Sequence, residues 1–264
     1  MIIIGERINA TRKSIARAME KKDVAFIQKE ATRQRSAGAH YLDLNAGLGK
    51  GTEKQDLAWL IETVQQVDTG ALALDSSDPS VLQECLALVK NKDVMLNSIT
   101  GEKKRVEGML PLLRKHPEVK LVLLTMDDSG IPQTYEKRVQ IAENLIQLIT
   151  SQTNLPLENI FVDCLVQPIS VDVSNGLIFL QAIQQLKKLY PCVKTTCGLS
   201  NVSFGLPQRK KINQYFLVVS LACGLDSAIM DPTEEELQEA LCISQTVLGQ
   251  DEYCLNYIQH CRQK

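Results

Sequence analysis

Eight short apolar runs, separated by stretches with helical period, limit what this chain can fold into. They begin near Ile2, Tyr41, Ala71, Val94, Val119, Ile160 and Val193 and close with Asp226-Ser-Ala-Ile-Met230. Each has the length of a buried strand. Between them, Leu57, Leu60, Ile61 and Val64 recur on one helical face, and segments 134–150, 175–189, 209–223 and 234–248 read the same way. Asp78 followed by Pro79 predicts an N-cap and first helical residue for a helix over 79–89. Asp231-Pro-Thr-Glu-Glu-Glu opens another, with Asp or Thr as cap and acids in the first turn. Strand then helix, eight times over, predicts a (β/α)8 TIM barrel, with residues 1–264 as one domain. A doubly wound open sheet is the alternative, but no strand leads into G-x-G-x-x-G. Residues 164–176 lack a regular pattern and are expected to form a loop over the barrel mouth.

Five of the runs end on an acid or an amide: Asp43 and Asn45, Asp75, Asn97, Asp163, and Asn201 after Gly198-Leu-Ser. Such residues are awkward for packing alone. In a barrel these ends gather at the mouth, where active sites lie. Glu6, Asn9, Ser76, Ser98, Thr125, Met126, Gln167, Ser200, Met230 and Asp231 join the same ring. The ring is rich in acceptors and amides and poor in His and Lys.

That composition excludes several chemistries. His40, His116 and His260 fall at helix ends or just before a strand, so no nucleophile–His pair or His-ligated metal reaches the mouth. Lys194 is the one candidate for a Schiff base, but it sits at a strand start, the wrong end. Gly198–Gly205 is Gly- and Ser-bearing, yet Asn201 and Val202 at its centre depart from a phosphate loop. Eight cysteines without C-x-x-C spacing read as reduced thiols of a cytoplasmic protein; a zinc site at Cys192 and Cys197 lacks a His to complete it. A net charge of −2, with no Lys/Arg block longer than three, gives no nucleic-acid surface. No apolar run approaches the ~20 residues that span a bilayer, and the start shows no signal peptide. Two carboxylates and an amide instead suit a flat heterocycle with N–H donors along one edge, a pterin or guanine-like ring.

Particular segments sharpen this. Ile3-Ile-Gly-Glu-Arg-Ile-Asn9, Leu72-Ala-Leu-Asp75-Ser76, Met95-Leu-Asn97-Ser98, Val162-Asp163 and above all Gly198-Leu-Ser-Asn-Val-Ser203 resemble the methyltetrahydrofolate:corrinoid protein methyltransferases. The folate barrel of cobalamin-dependent methionine synthase is a relative of that family. The resemblance runs from Met1 to Tyr253-Cys254, and Gly198–Ser203, followed by Arg209, Ile212-Asn213 and Phe216-Leu217, is its most specific part.

By position, the resemblance implies that Asp75, Asn97 and Asp163 hold the pterin edge and that Gly198 and Ser200 shape the pocket. It makes Asn201 catalytic, hydrogen-bonding N5, and puts Arg209 near the folate tail. It implies tetrahydrofolate as substrate, a corrinoid carried by a partner protein, no metal on this chain and a homodimer. The corrinoid should be separate because none of the three histidines lies in Asp-x-His-x-x-Gly. No zinc–thiol domain for homocysteine is seen, so a complete methionine synthase is not expected. Residues 10–14 and the basic stretch 204–211 depart from the family pattern, with docking of the corrinoid protein as one reading of Arg209-Lys-Lys211. Two alternatives stay open. A dihydropteroate synthase would need a Ser/Thr-Arg-Pro-Gly type loop where this chain has Asn45-Ala-Gly-Leu-Gly-Lys-Gly51. A non-catalytic folate-binding protein would tolerate loss of Asn201. Asp43, Asn45, Glu6, Arg7 and Asn9 are read as scaffold residues rather than ligands.

Overall fold

Strands whose side chains alternate between a barrel interior and a helical shell need apolar residues on both faces, and this chain supplies them. The computed structural model describes residues 1–47 and 51–262. Eight strands form one parallel sheet in the order β7-β6-β5-β4-β3-β2-β1-β8. They are β1 (Ile2–Asn9), β2 (Tyr41–Asn45), β3 (Leu72–Asp75), β4 (Val94–Ile99), β5 (Lys120–Leu124), β6 (Ile160–Asp163), β7 (Lys194–Thr196) and β8 (Ser227–Met230). The ring closes just past β7, where Gly198 bridges Ile229 and Ile229 N donates to Cys197 O at 2.8 Å.

The helices are α1 (Lys13–Glu20), α2 (Val24–Ser36), α3 (Glu53–Val64), α4 (Pro79–Leu86), α5 (Lys103–Lys115), α6 (Tyr135–Gln152), α7 (Asn175–Leu189), α8 (Arg209–Ala222), α9 (Glu235–Val247) and α10 (Leu255–Arg262). The β1–β2 crossover thus carries two helices rather than one. Asp78 caps α4 as expected, its Oδ1 accepting from Ser80 N at 2.8 Å, with Pro79 at the first helical position. The start of α9 differs from expectation. Glu234 occupies the cap position without a side-chain cap bond, because Asp231 is held elsewhere, by Arg7 and by Thr233 N. Acids do fill its first turn, at Glu235 and Glu236.

Inside the barrel, Ile4, Tyr41, Ala73, Met95, Val122 and Phe161 form an apolar plug distinct from the larger core between sheet and helices. Lys194 lies at the foot of this plug, its Nζ 5.9 Å from the Phe161 ring, far from the mouth as its place at a strand start requires. The stretch 164–174 has neither helix nor strand. It packs over the turn after β7 through Ile169 N to Val202 O at 3.1 Å and Ser170 Oγ to Phe204 O at 2.6 Å. Among the described residues no helix is long and apolar enough to cross a membrane. All eight cysteines are free thiols, with Cys197 buried and Cys192 exposed.

Candidate functional site

On five of the strands, two residues beyond the plug, the inward face changes chemistry. Ile4 is followed by Glu6, Tyr41 by Asp43, Ala73 by Asp75, Met95 by Asn97 and Phe161 by Asp163. Strand periodicity therefore stacks a ring of acceptors directly on an apolar floor. The register aligns Asn45 with Asp75 and Asp75 with Asn97 across adjacent strands.

The ring is hydrogen-bonded within itself. Asn45 Nδ2 donates to Asp75 Oδ2 at 2.8 Å, and Asn97 Nδ2 donates to Asp43 Oδ1 at 3.3 Å. Asp163 accepts from Leu165 N at 2.7 Å and from the Gly198 backbone. Leu165 is held with a positive φ of 63°, and its carbonyl and that of Cys164 accept from the fully buried Arg138. Behind Asp75, Ser76 Oγ donates to Glu53 at the start of α3.

Burial sets the electrostatics. It pushes the carboxyls of Asp75 and Asp163 up to about 6, against the hydrogen bonds that each accepts. Asp43, wholly enclosed and facing Asp75, is also raised well above the ordinary carboxylate range. Arg105 and Arg138 oppose the rise at Asp75 and Asp163, but among the described residues neither acid forms an ion pair, so both are poised for a ligand that brings N–H donors, since each bond to an oxygen stabilises the ionised form.

The opposite side of the mouth is built on a 3-10 turn, Leu199–Ser203, that follows β7. Asn201 is exposed there, and its amide folds over Gly198: a Cβ on Gly198 would stand 2.9 Å from Asn201 Nδ2. Glycine is thus needed for close approach, not for a turn. Ser200 Oγ donates to Glu6 Oε2 at 3.2 Å. Arg209 opens α8 and braces the turn, with Nη2 on Ser200 O at 2.7 Å and Nε on Ser203 Oγ at 3.0 Å. A pocket of about 220 Å³ opens between this turn and α9, lined by Glu6, Arg12, Ser200, Arg209, Asp231 and Glu234.

The structure thus brings Asp75, Asn97 and Asp163 onto one inner rim and gathers Gly198, Ser200 and Asn201 at the turn facing it, with Arg209 bracing that turn from the start of α8. Asp43 and Glu6, read from sequence as scaffold, lie on the inner rim as well. Their signal was present in the alternation with Tyr41 and Ile4. Asn9 instead serves its own loop, accepting from Thr11 N and Oγ1, and Arg7 ties Glu30 to Asp231. The 45–51 loop, read from sequence against a pyrophosphate site, includes residues 48–50, which lie outside those described.

Comparison with known proteins gives the family. Residues 5–231 match the family described as pterin binding enzyme. The chain is 38% identical over 264 residues to a methylcorrinoid:tetrahydrofolate methyltransferase of Eubacterium limosum, covering 100% of this chain and 97% of that one. It is 34% identical over 262 residues to the methionine synthase of Mycobacterium leprae, covering 91% of this chain but only 22% of that protein. In fold it is similar to a dihydropteroate synthase of Xanthomonas albilineans solved with 7,8-dihydropteroate, at TM-score 0.71 and 16% identity, covering 94% and 93% of the two chains. That last likeness is one of fold. The chain belongs to the pterin-binding enzyme family and, by its likeness over the whole length, to the branch that holds the methylcorrinoid:tetrahydrofolate methyltransferase.

Proposed function

We propose that this protein moves a methyl group between N5 of tetrahydrofolate and the cobalt of a separate corrinoid protein. The observation that carries the reading is the inner rim of Asp75, Asn97 and Asp163, on a chain 38% identical to a methylcorrinoid:tetrahydrofolate methyltransferase. On this reading the three side chains hold the amino-pyrimidinone edge of the pterin. The raised carboxyls ionise as they accept its N–H groups, and Asn97 offers a donor and an acceptor to ring nitrogens.

Asn201 then meets N5 from the turn. A tertiary amine is a poor leaving group, and the methyl departs more readily as hydrogen bonding to N5 strengthens. Cobalt(I) on the partner is nucleophile enough to need no base, so the work left to this chain is positioning and hydrogen bonding at the transition state. No His or Lys at the strand exits is required. Gly198 lets the Asn201 amide lie close, and Arg209 keeps the turn in place. The protein acts as a single barrel domain and pairs as a homodimer on the same reading.

The test is a visible-light assay with methyltetrahydrofolate and cob(I)alamin, run for wild type and Asn201→Ala. The expected result is turnover that falls on the order of 10²–10³-fold in the variant, with folate affinity nearly unchanged. Tight folate binding without turnover in either direction would sink the proposal and leave a folate carrier.

A further inference from the structure

Two acids of the inner rim, Asp43 and Glu6, have no task in this reaction scheme, and Glu6, half-buried, is the one that also lines an open pocket. It follows Ile2 and Ile4 on the inward face of β1, so its carboxyl enters the barrel at the level of the acceptor ring. Among the described residues its side chain forms no ion pair, and its hydrogen-bond partner is the Ser200 hydroxyl at 3.2 Å. The neighbouring Arg7 is taken up by Glu30 and Asp231. A largely enclosed carboxyl in no ion pair is costly when charged, and packing alone would favour an apolar residue.

Its surroundings explain what form it takes. Asp43 faces it from β2, Cys197 from the end of β7, and Asp231 and Glu234 from the turn after β8. Arg12 is the nearest basic influence, and it lies 3.9 Å from Asp231. Arg209 and Lys210 line the same pocket from α8, but Arg209 is bound to the turn and Lys210 to Glu236. Burial, reinforced by Asp231 and Glu234, pushes the Glu6 carboxyl up to about 7, while the Ser200 hydrogen bond and Arg12 oppose it. An acid of this kind is half loaded with a proton under ordinary conditions.

Its placement joins the open pocket to the turn that carries Asn201. Glu6 lines the open pocket of about 220 Å³ on one side. On the other, Ser200 hands its contact to a turn whose next residue is Asn201. An amide cannot supply a proton to N5, so some other group must.

We propose that Glu6 holds the proton exchanged with N5, with the Ser200 hydroxyl as relay beside Asn201. The inference rests on the methyl-transfer reading above. When the methyl goes to cobalt, the C–N bond breaks and its electron pair stays on nitrogen. The cobalt(I) pair forms the Co–C bond, and N5 takes one proton from Glu6, which solvent replaces through the pocket. In the opposite direction the N5 pair attacks the methyl, the Co–C pair returns to cobalt, and the N5 proton passes to the Glu6 carboxylate.

The experiment measures both directions with free corrinoids, cob(I)alamin with methyltetrahydrofolate and methylcobalamin with tetrahydrofolate, from about pH 5.5 to about pH 8.5. Wild type, Glu6→Gln and Ser200→Ala are compared, with folate affinity by calorimetry and melting curves alongside. In wild type, transfer to cobalt should fall as pH rises above about 7, and transfer from cobalt should fall as pH drops below it. Glu6→Gln should lower both rates on the order of 10²-fold and flatten both limbs, with affinity changed less than about threefold. Ser200→Ala should lose less and shift the midpoint of both limbs. A Glu6→Gln enzyme with wild-type rates and limbs overturns the proposal, as does a loss of affinity that equals the loss of rate. Should Glu6→Gln fail to fold, a Ser200→Ala enzyme with unchanged rates and unshifted limbs overturns it. No turnover by wild type in either direction defeats the methyl-transfer reading itself.

Discussion

The two sides of the barrel mouth are made differently. On the side of β2, β3, β4 and β6, the polar groups sit on strands and hydrogen-bond across the register, with Asp43, Asn97 and Asp163 buried. On the side of β7, the exposed Asn201 rides on a short turn, kept in place by a close approach to Gly198 and by Arg209. Strands fix a side chain more closely than turns do. The difference suits one rigid edge for recognising a flat ring and one adjustable amide for the reacting nitrogen. If that division holds, damage to the strand side should appear in affinity and damage to the turn in rate.

The largest effect should come from Gly198→Ala. The added Cβ meets only the tip of the Asn201 side chain, at 2.9 Å, so the barrel can fold around it while the amide is displaced. Methyl-transfer rate should drop on the order of 10²-fold or more, close to the loss from removing the amide, with pterin affinity nearly intact. Stopped-flow rates and calorimetry together check this. A rate within about threefold of wild type would break the comparison at its turn side.

Next comes Asp163→Asn, on the strand side. A carboxylate that accepts N–H bonds from a ligand is worth about 1.5–3 kcal/mol per charged hydrogen bond, so affinity for a pterin should fall on the order of 10²-fold. Stability should move the other way. Burial raises this carboxyl to about 6 from an ordinary 3.8, so the folded chain holds the proton more tightly than the unfolded one. The ligand-free protein is therefore most favoured by this group at low pH, and it loses about 2–3 kcal/mol as pH rises from about 4 through 6. Asp75 contributes in the same sense, because its carboxyl is also raised to about 6. Asp163→Asn should flatten part of that decline and raise the melting temperature of the empty protein near neutral pH. Ligand affinity should climb with pH through about 6 in wild type and lose much of that slope in the variant.

What could be read beforehand follows the same division. The strand side was legible because apolar runs ending in Asp75, Asn97 and Asp163 carry both fold and chemistry in a period-2 pattern. Strand starts at Ile2, Tyr41, Val94 and Ile160 agree with the sequence reading, and the helix at Asn175–Leu189 does so at both ends. The helix expected over 79–89 stops at Leu86, since the residues after it pair with the preceding loop through Gln65. Asp43 and Glu6, read from sequence as scaffold, do hydrogen-bond Asn97 and Ser200, but a lone acid on an apolar strand gives no hint of whether its neighbours include a cation. The Arg209 brace and the Asn201–Gly198 contact were out of reach, being set by how a turn folds back rather than by spacing. Asn201 was marked as the end of an apolar run, whereas Arg209 entered through a family likeness.

Arg209 offers a smaller test of the turn side. Its guanidinium bonds Ser200 O and Ser203 Oγ, which makes it a brace; the family likeness puts it near the folate tail. Arg209→Ala should lower kcat by about 3–10-fold, the worth of one or two partly exposed hydrogen bonds. Removing the glutamate from methyltetrahydrofolate separates the two roles. A brace gives the same kcat loss with and without the glutamate, whereas a tail contact gives a KM effect that disappears in the truncated substrate.

The smallest effect should be at Asp78, and its value is that it belongs to neither side. It caps α4, accepting from Ser80 N at 2.8 Å and from Ser80 Oγ at 2.7 Å, and these bonds hold its carboxyl below the ordinary range. Removing such a cap costs about 0.5–1 kcal/mol for an exposed helix start. Because the folded carboxyl is the stronger acid, its contribution is present above about pH 4 and is lost as pH falls, opposite in sign to Asp75 and Asp163. Asp78→Ala should therefore lower the melting temperature by a few degrees near neutral pH and less so in acid, with rate and affinity unchanged. A change in either would mean that α4 reports to the carboxylate rim through Ser76, whose hydroxyl accepts from Asp78 N at 3.0 Å, and the rim would no longer count as rigid.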